Sequence, residues 1–271
     1  MRKRTALVLT GLARDFNLAA EHIHRNIIQP FSIAPTDVYI DIWSDKGYWY
    51  PGDALVKKSF LETGLLSHAD VNTYYPESHV NIEDFGNLES AFLKRLESFP
   101  EEFRKDLNHS NYFVRGINLV SMFYKMNNGI NLVKDKNFDL VIRTRPDIYL
   151  PKELRLLSTA KMRILKQRNH FGRGLGDNLH LGSLKDISTL GEIYNNLEEV
   201  FKLTDQILCP HLFIEKWLAL KSIKHKEFTV RGWSTLHTPG GQYKALNASG
   251  DWDILSNGSY ERSKDRFDGS L

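Results

Sequence analysis

The hydrophobic pattern along the chain changes period repeatedly. Thr5-Ala-Leu-Val-Leu-Thr10 is a short unbroken apolar run closed by Gly11, the pattern of a strand buried on both faces as in a parallel sheet. Residues 17–28 then follow helical spacing up to Pro30, and Asp37-Val-Tyr-Ile-Asp-Ile-Trp43 forms a second strand ending in Ser44-Asp45. Strand, helix, strand in succession predicts a βαβ unit and an α/β fold. Leu119, Met122, Phe123, Met126, Ile130 and Val133 recur at helical spacing, so 118–133 is expected to be a core-facing helix. Phe138 to Arg143 is the clearest strand, and it runs into Arg-Thr-Arg-Pro-Asp. Short strands over 162–165 and 179–181, helices over 184–203 and 211–222, and a last strand over 228–231 complete the pattern.

Between 46 and 110 the periodicity weakens. Residues 46–53, rich in Tyr, Trp, Gly and Pro, read as a loop over a site, and 88–107 as a charged helix interrupted by Pro100. From about Leu246 the chain turns to Asn, Ser, Gly and Asp. The expectation is one Rossmann-like α/β domain over 1–245, with a mostly parallel sheet flanked by helices, and a polar C-terminal tail over 246–271 that is poorly ordered.

Composition narrows the class. With 41% hydrophobic and 25% charged residues, and 15 Phe, 11 Tyr and 5 Trp, the chain has ample material for a core. The net charge of +3 comes from 36 basic against 33 acidic residues, so the surface is mixed and nucleic-acid binding is disfavoured. The single cysteine, Cys209, excludes an intramolecular disulfide and a CxxC centre. The basic start is followed by too short an apolar run for a signal peptide, and no stretch approaches a membrane span. A cytoplasmic protein is expected, with no transmembrane segment and at most peripheral membrane contact.

In open α/β sheets, ligands collect beyond the carboxyl ends of the strands. The residues there are Gly11 and Arg14 after the first strand, Ser44 and Asp45 after the second, and Arg143, Arg145 and Asp147 after the third. Arginines with one or two carboxylates suit a phosphorylated ligand with a divalent cation, Mg²⁺ or Mn²⁺. Pro146 stiffens this turn and biases Arg145 to an extended backbone. Asp177 lies in the glycine-rich loop Phe171-Gly-Arg-Gly-Leu-Gly-Asp177, where a carboxylate can act as base or bind hydroxyls. That loop lacks the Lys-Ser/Thr pair of a phosphate loop. His211 and Glu215 are four apart on a helix and share a face, suited to metal binding or proton transfer or simply to a surface pair. Lys125 is expected in solvent, and no GxSxG elbow is present.

Together, Gly-Leu-Ala-Arg-Asp-Phe after the first strand, Asp-Val-Tyr-Ile-Asp-Ile-Trp-Ser, the Arg-Thr-Arg-Pro-Asp strand and Gly-Asp-Asn-Leu-His-Leu-Gly-Ser resemble the small GT-A-type glycosyltransferases of viruses and of bacterial lipopolysaccharide or capsule clusters, including the WavE-like group. The resemblance spans about residues 5 to 235. It implies a GT-A-like fold and transfer of a sugar from a nucleotide-sugar donor to a glycan or lipid-linked acceptor. The family's metal-binding Asp-x-Asp is matched here by Arg145-Pro-Asp147, so only its last aspartate is present and divalent-metal dependence stays open. The implied donor-binding residues are Gly11, Arg14, Ser44, Asp45, Arg143 and Arg145, with Asp147 at the metal. The base would be Asp177 first and His211 or Glu215 second. Two alternatives stay open: a non-catalytic carbohydrate-binding or scaffold protein, with Tyr48, Trp49 and Tyr50 stacking on sugars, and another phosphate-handling transferase on a similar sheet.

Overall fold

The computed structural model describes residues 4–31, 36–45, 65–101, 116–154, 161–166 and 174–230, and the strands 234–237, 243–246 and 252–255. In chain order the elements are β1 (Thr5–Gly11), α1 (Phe16–Ile23), β2 (Thr36–Trp43), α2 (His68–Tyr74), β3 (His79–Glu83), α3 (Phe85–Glu97), α4 (Gly116–Asn131), β4 (Leu140–Thr144), β5 (Ile148–Tyr149), β6 (Met162–Leu165), β7 (Leu179–Gly182), α5 (Leu184–Gly191), α6 (Leu197–Leu203), α7 (Pro210–Leu220), β8 (His225–Phe228), β9 (Ser234–His237), β10 (Tyr243–Leu246) and β11 (Trp252–Leu255). The main sheet has the order β3-β2-β1-β4-β7-β6-β8. β1, β2, β3 and β4 run parallel, β7 is antiparallel to both its neighbours, and β6 and β8 are parallel again. This is the Rossmann-like α/β architecture that the hydrophobic pattern predicts.

The reason β1 reads as an unbroken apolar run is visible in its packing. Ala6 and Val8 belong to one hydrophobic core, and Leu7 and Leu9 to the other on the opposite face. Alternate side chains leave a strand on opposite faces, so a strand covered on both sides needs apolar residues throughout. The first core is closed by α3, α4, α5, α6 and α7; the second by α1, α2 and the loop after β5. The predicted helix over 118–133 is α4, which lies against β1 and β2. Its Gly129 permits that approach, because a Cβ there would come within 2.2 Å of Thr10 Cγ2.

Several elements differ from expectation. The region 184–203 is not one helix: α5 ends at Gly191, a 3-10 stretch covers Glu192–Asn196, and α6 follows. α2 and β3 have no counterpart in the periodicity, being short and only part-buried. In the region expected as a polar tail, residues 252–255 form β11, paired antiparallel with β10 in a small sheet of order β11-β10-β9-β5. Residues 46–53, 102–107, 171–173, 231, 247–251 and 256–271 lie outside the described residues. Among the described residues no helix is long and apolar enough to cross a membrane.

Lys125 corrects the solvent expectation: it is fully buried on α4. Its Nζ donates to Asp41 Oδ1 at 2.8 Å and to Glu83 Oε2 at 2.5 Å, and sits 4.3 Å from the centre of the Trp43 ring. Asn81 also donates to Asp41, and Tyr124 to Glu83. The cluster adds a charged tie between α4 and β2 and β3 to the apolar packing of that core. Burial pushes the Asp41 carboxyl up from 3.8 to about 6, although Lys125 and Asn81 pull it down. A carboxyl raised in the folded state adds stability that is fully present below its unfolded value and is lost as pH rises through the folded one. Wild type is therefore expected to lose up to about 3 kcal/mol relative to Asp41→Asn as pH rises from about 4 to about 6, measured by urea unfolding of both proteins across that range. A stability difference independent of pH would contradict the buried-charge account.

Candidate functional site

Strand order reverses at β1, which connects on one side to β2 and on the other to β4. The crevice beyond the carboxyl ends of these strands is where doubly wound sheets bind ligands. Gly11 closes β1 at φ 114°, a conformation that glycine adopts without strain, and a Cβ added there would meet nothing within 4 Å. Ser44 ends β2 with its N–H on the Glu83 carbonyl and its own carbonyl accepting from Leu66. Its buried Oγ has no hydrogen-bond partner among the described residues. Asp45 is exposed and forms a β-bridge with Leu65.

Arg14, expected at the donor, is buried instead. Its residue exposure is 2%, and its backbone is left-handed at φ 42°, a strained choice for a side chain with Cβ. Nη1 donates to Asp147 Oδ2 at 3.0 Å. Arg145 grips the same carboxylate as a fork, Nε to Oδ1 at 2.8 Å and Nη2 to Oδ2 at 2.7 Å. One fully buried aspartate thus links the turn after β1 to the turn after β4. Burial lowers the Arg14 guanidinium to about 9, helped by the charge of Arg145 and opposed by Asp147, so it stays charged at neutral pH. Burial also opposes the charge on Arg145, but Asp147 outweighs it and holds that group above its ordinary value. The Arg145 side chain keeps 19% of its surface exposed against 1% for Arg14, so of the two it is the one that solvent reaches.

Arg143 lies deeper than a donor-binding role requires. Its Nε donates to Thr10 Oγ1 at 2.8 Å and its Nη1 to the Asp177 carbonyl, so it braces β1 against the loop that carries Asp177. Burial lowers it to about 10. Thr144 and the Arg145 N–H both bond the Asn178 carbonyl, which fixes the same loop to the end of β4.

The described end of the glycine-rich loop, 174–177, is stitched to the first turn of α7. Leu175 N–H donates to the His211 carbonyl, and His211 Nδ1–H donates back to the Leu175 carbonyl, both at 3.0 Å. His211 Nδ1 also lies 3.9 Å from Asp177 Oδ1. A carbonyl only accepts, so the proton sits on Nδ1 and Nε2 is left as the basic nitrogen. Burial opposes ionisation of Asp177, yet His211, Arg145 and Arg143 hold its carboxyl below the usual range. A carboxylate so stabilised is a weak base; at 3.9 Å it acts on the imidazole through its charge, while the Leu175 carbonyl orients the ring. Glu215 is half-buried one turn along α7. His180, absent from the sequence-level candidates, stands opposite Arg143 in the β4–β7 register and gives its Nε2–H to the Gly176 carbonyl. Burial holds it at about 3, hence neutral.

Among the described residues no three His, Cys, Asp or Glu side chains are grouped so as to hold a metal ion. Both oxygens of Asp147, the aspartate matched to a metal motif, are occupied by guanidinium groups. The residues present do not fit a divalent cation at Asp147.

Compared with known proteins, the chain matches no protein-family model and no curated protein sequence.

Gly174 sits at φ 90°, and a Cβ there would come within 2.5 Å of the His211 carbonyl carbon. Gly174→Ala is expected to cost about 1–3 kcal/mol and to pull the loop from α7, measured by thermal unfolding and by amide exchange at Leu175. A variant as stable as wild type with Leu175 still protected would show that the stitched geometry is not required.

Proposed function

We propose that the protein is a glycosyltransferase that moves a sugar from a nucleotide-sugar donor to a hydroxyl of a glycan or lipid-linked acceptor. The observation that carries this reading is the gathering around Asp177 of a partly exposed arginine, Arg145, and a histidine, His211, whose tautomer is fixed by the Leu175 carbonyl. Phosphate recognition and proton removal are the two things such a transfer needs. The resemblance of the strand-end segments to GT-A-type enzymes supports the same reading.

In this scheme Gly11, Ser44 and Asp45 border the nucleotide. Arg145, held by Asp147 and Arg14, faces the diphosphate, while Arg143 fixes the loop beneath it. His211 Nε2 takes the proton from the acceptor hydroxyl. The freed oxygen forms its bond to the anomeric carbon as the bond from that carbon to the diphosphate oxygen breaks. The leaving diphosphate keeps the electron pair, and Arg145 stabilises the added charge. Asp177 stabilises the imidazolium. The order of base candidates from sequence is thereby reversed, with His211 ahead of Asp177 and Glu215 third.

The test is release of nucleoside diphosphate from a panel of nucleotide sugars, with and without glycan acceptors. His211→Gln is expected to lower turnover by about 10²–10⁴-fold while nucleotide-induced stabilisation persists. Glu215→Gln is expected to change turnover by less than about tenfold. No release from any donor, with no stabilisation by any nucleotide, would overturn the transferase; unchanged turnover in His211→Gln would overturn the base.

A further inference from the structure

The Asp147 triad carries an inference that rests on the transferase reading. We propose that this site binds the diphosphate of its donor without a divalent cation, the Arg14–Asp147–Arg145 triad standing where an Asp–metal pair would. Charge counting supports the exchange. A carboxylate with a divalent cation carries a net charge of +1; Asp147 with its two guanidinium groups carries the same +1. The positive partners here are part of the chain, and their geometry is fixed before any ligand arrives.

Three features make the triad a poor metal ligand. Asp147 is fully buried, and both its oxygens already accept charge-assisted hydrogen bonds of 2.7 to 3.0 Å. A cation there would have to displace Arg145 from a paired fork, leave Arg14 buried without this carboxylate, and bring a second positive charge beside both. Arg145 keeps part of its side chain exposed, and the planar guanidinium is well matched to phosphate oxygens. The left-handed turn at Arg14 gains a purpose as well, because it places the second guanidinium behind Asp147, where it anchors the carboxylate that aims Arg145.

Calorimetric titration of the full chain with UDP, GDP, ADP and CDP, each in excess EDTA and again in Mn²⁺, tests this. The expected result is that the best-bound nucleoside diphosphate has the same Kd within about twofold in the two conditions, and that Arg145→Gln weakens it by at least about tenfold. Should that variant fail to fold by circular dichroism, Arg145→Lys, which keeps the charge and loses the fork, takes its place. Binding seen only with Mn²⁺ would overturn the cation-free site and leave the transferase reading standing. An unchanged Kd in the folded arginine variant would overturn the role of Arg145. Absence of binding with and without Mn²⁺ would overturn the nucleotide reading itself.

Discussion

A single buried carboxylate organises the candidate site. Asp147 has no exposed surface, yet it holds two arginines that come from opposite sides of the reversal point in the sheet. Without it, Arg14 would be a buried cation in a strained left-handed turn, and Arg145 would lose the fork that fixes its direction. Breaking a buried pair by removing one member commonly costs about 3–5 kcal/mol, because the remaining charge is stranded. The price in stability is accepted where the sheet topology places its ligand crevice, and strain of this kind concentrates at functional positions. The turn after β1, the turn after β4 and, through Arg143 and Asn178, the loop bearing Asp177 are therefore one connected unit.

A second buried charge centre stands on the other side of β1. Lys125, Asp41 and Glu83 join α4 to β2 and β3, and Trp43 lies over the ammonium. The two centres meet at Thr10, which pairs with Asp41 in register and accepts from Arg143. The carboxyl ends of the parallel strands are thus underlain by polar groups with fixed partners, while the rest of both cores is apolar. Such a floor ties the strand ends together through charges that are themselves largely buried.

Much of this frame is legible in the sequence, because a parallel strand covered on both faces has to be apolar throughout. β1, β2, α4 and β6 follow directly from that rule and from helical spacing. β3 is hidden because it sits at the sheet edge with only part-buried side chains, so its alternation of Val80 and Ile82 is too brief to stand out. The break in 184–203 comes from tertiary packing: Gly191 runs close against Asn127 of α4, a contact local periodicity does not record. The strand-end residues likewise announce a charged site but not its pairing. Arg143 and Arg145 look equivalent in sequence, yet one braces the loop while the other forks onto Asp147 and stays partly exposed. Lys125 had one overlooked signal: Ser121, Lys125 and Gly129 form a stripe four residues apart, and the small residues flanking the lysine mark a face that lies close to the sheet.

The claim on which everything else rests is that Arg14, Asp147 and Arg145 act as one energetic unit. A double-mutant cycle on Arg14→Met and Asp147→Leu, read by denaturant unfolding, measures it directly. The account predicts that each single change costs about 3–5 kcal/mol and that the double variant costs less than their sum by well over about 1 kcal/mol. Additive losses would show that the two side chains are neighbours without being partners, and the triad would lose its place at the centre of the site.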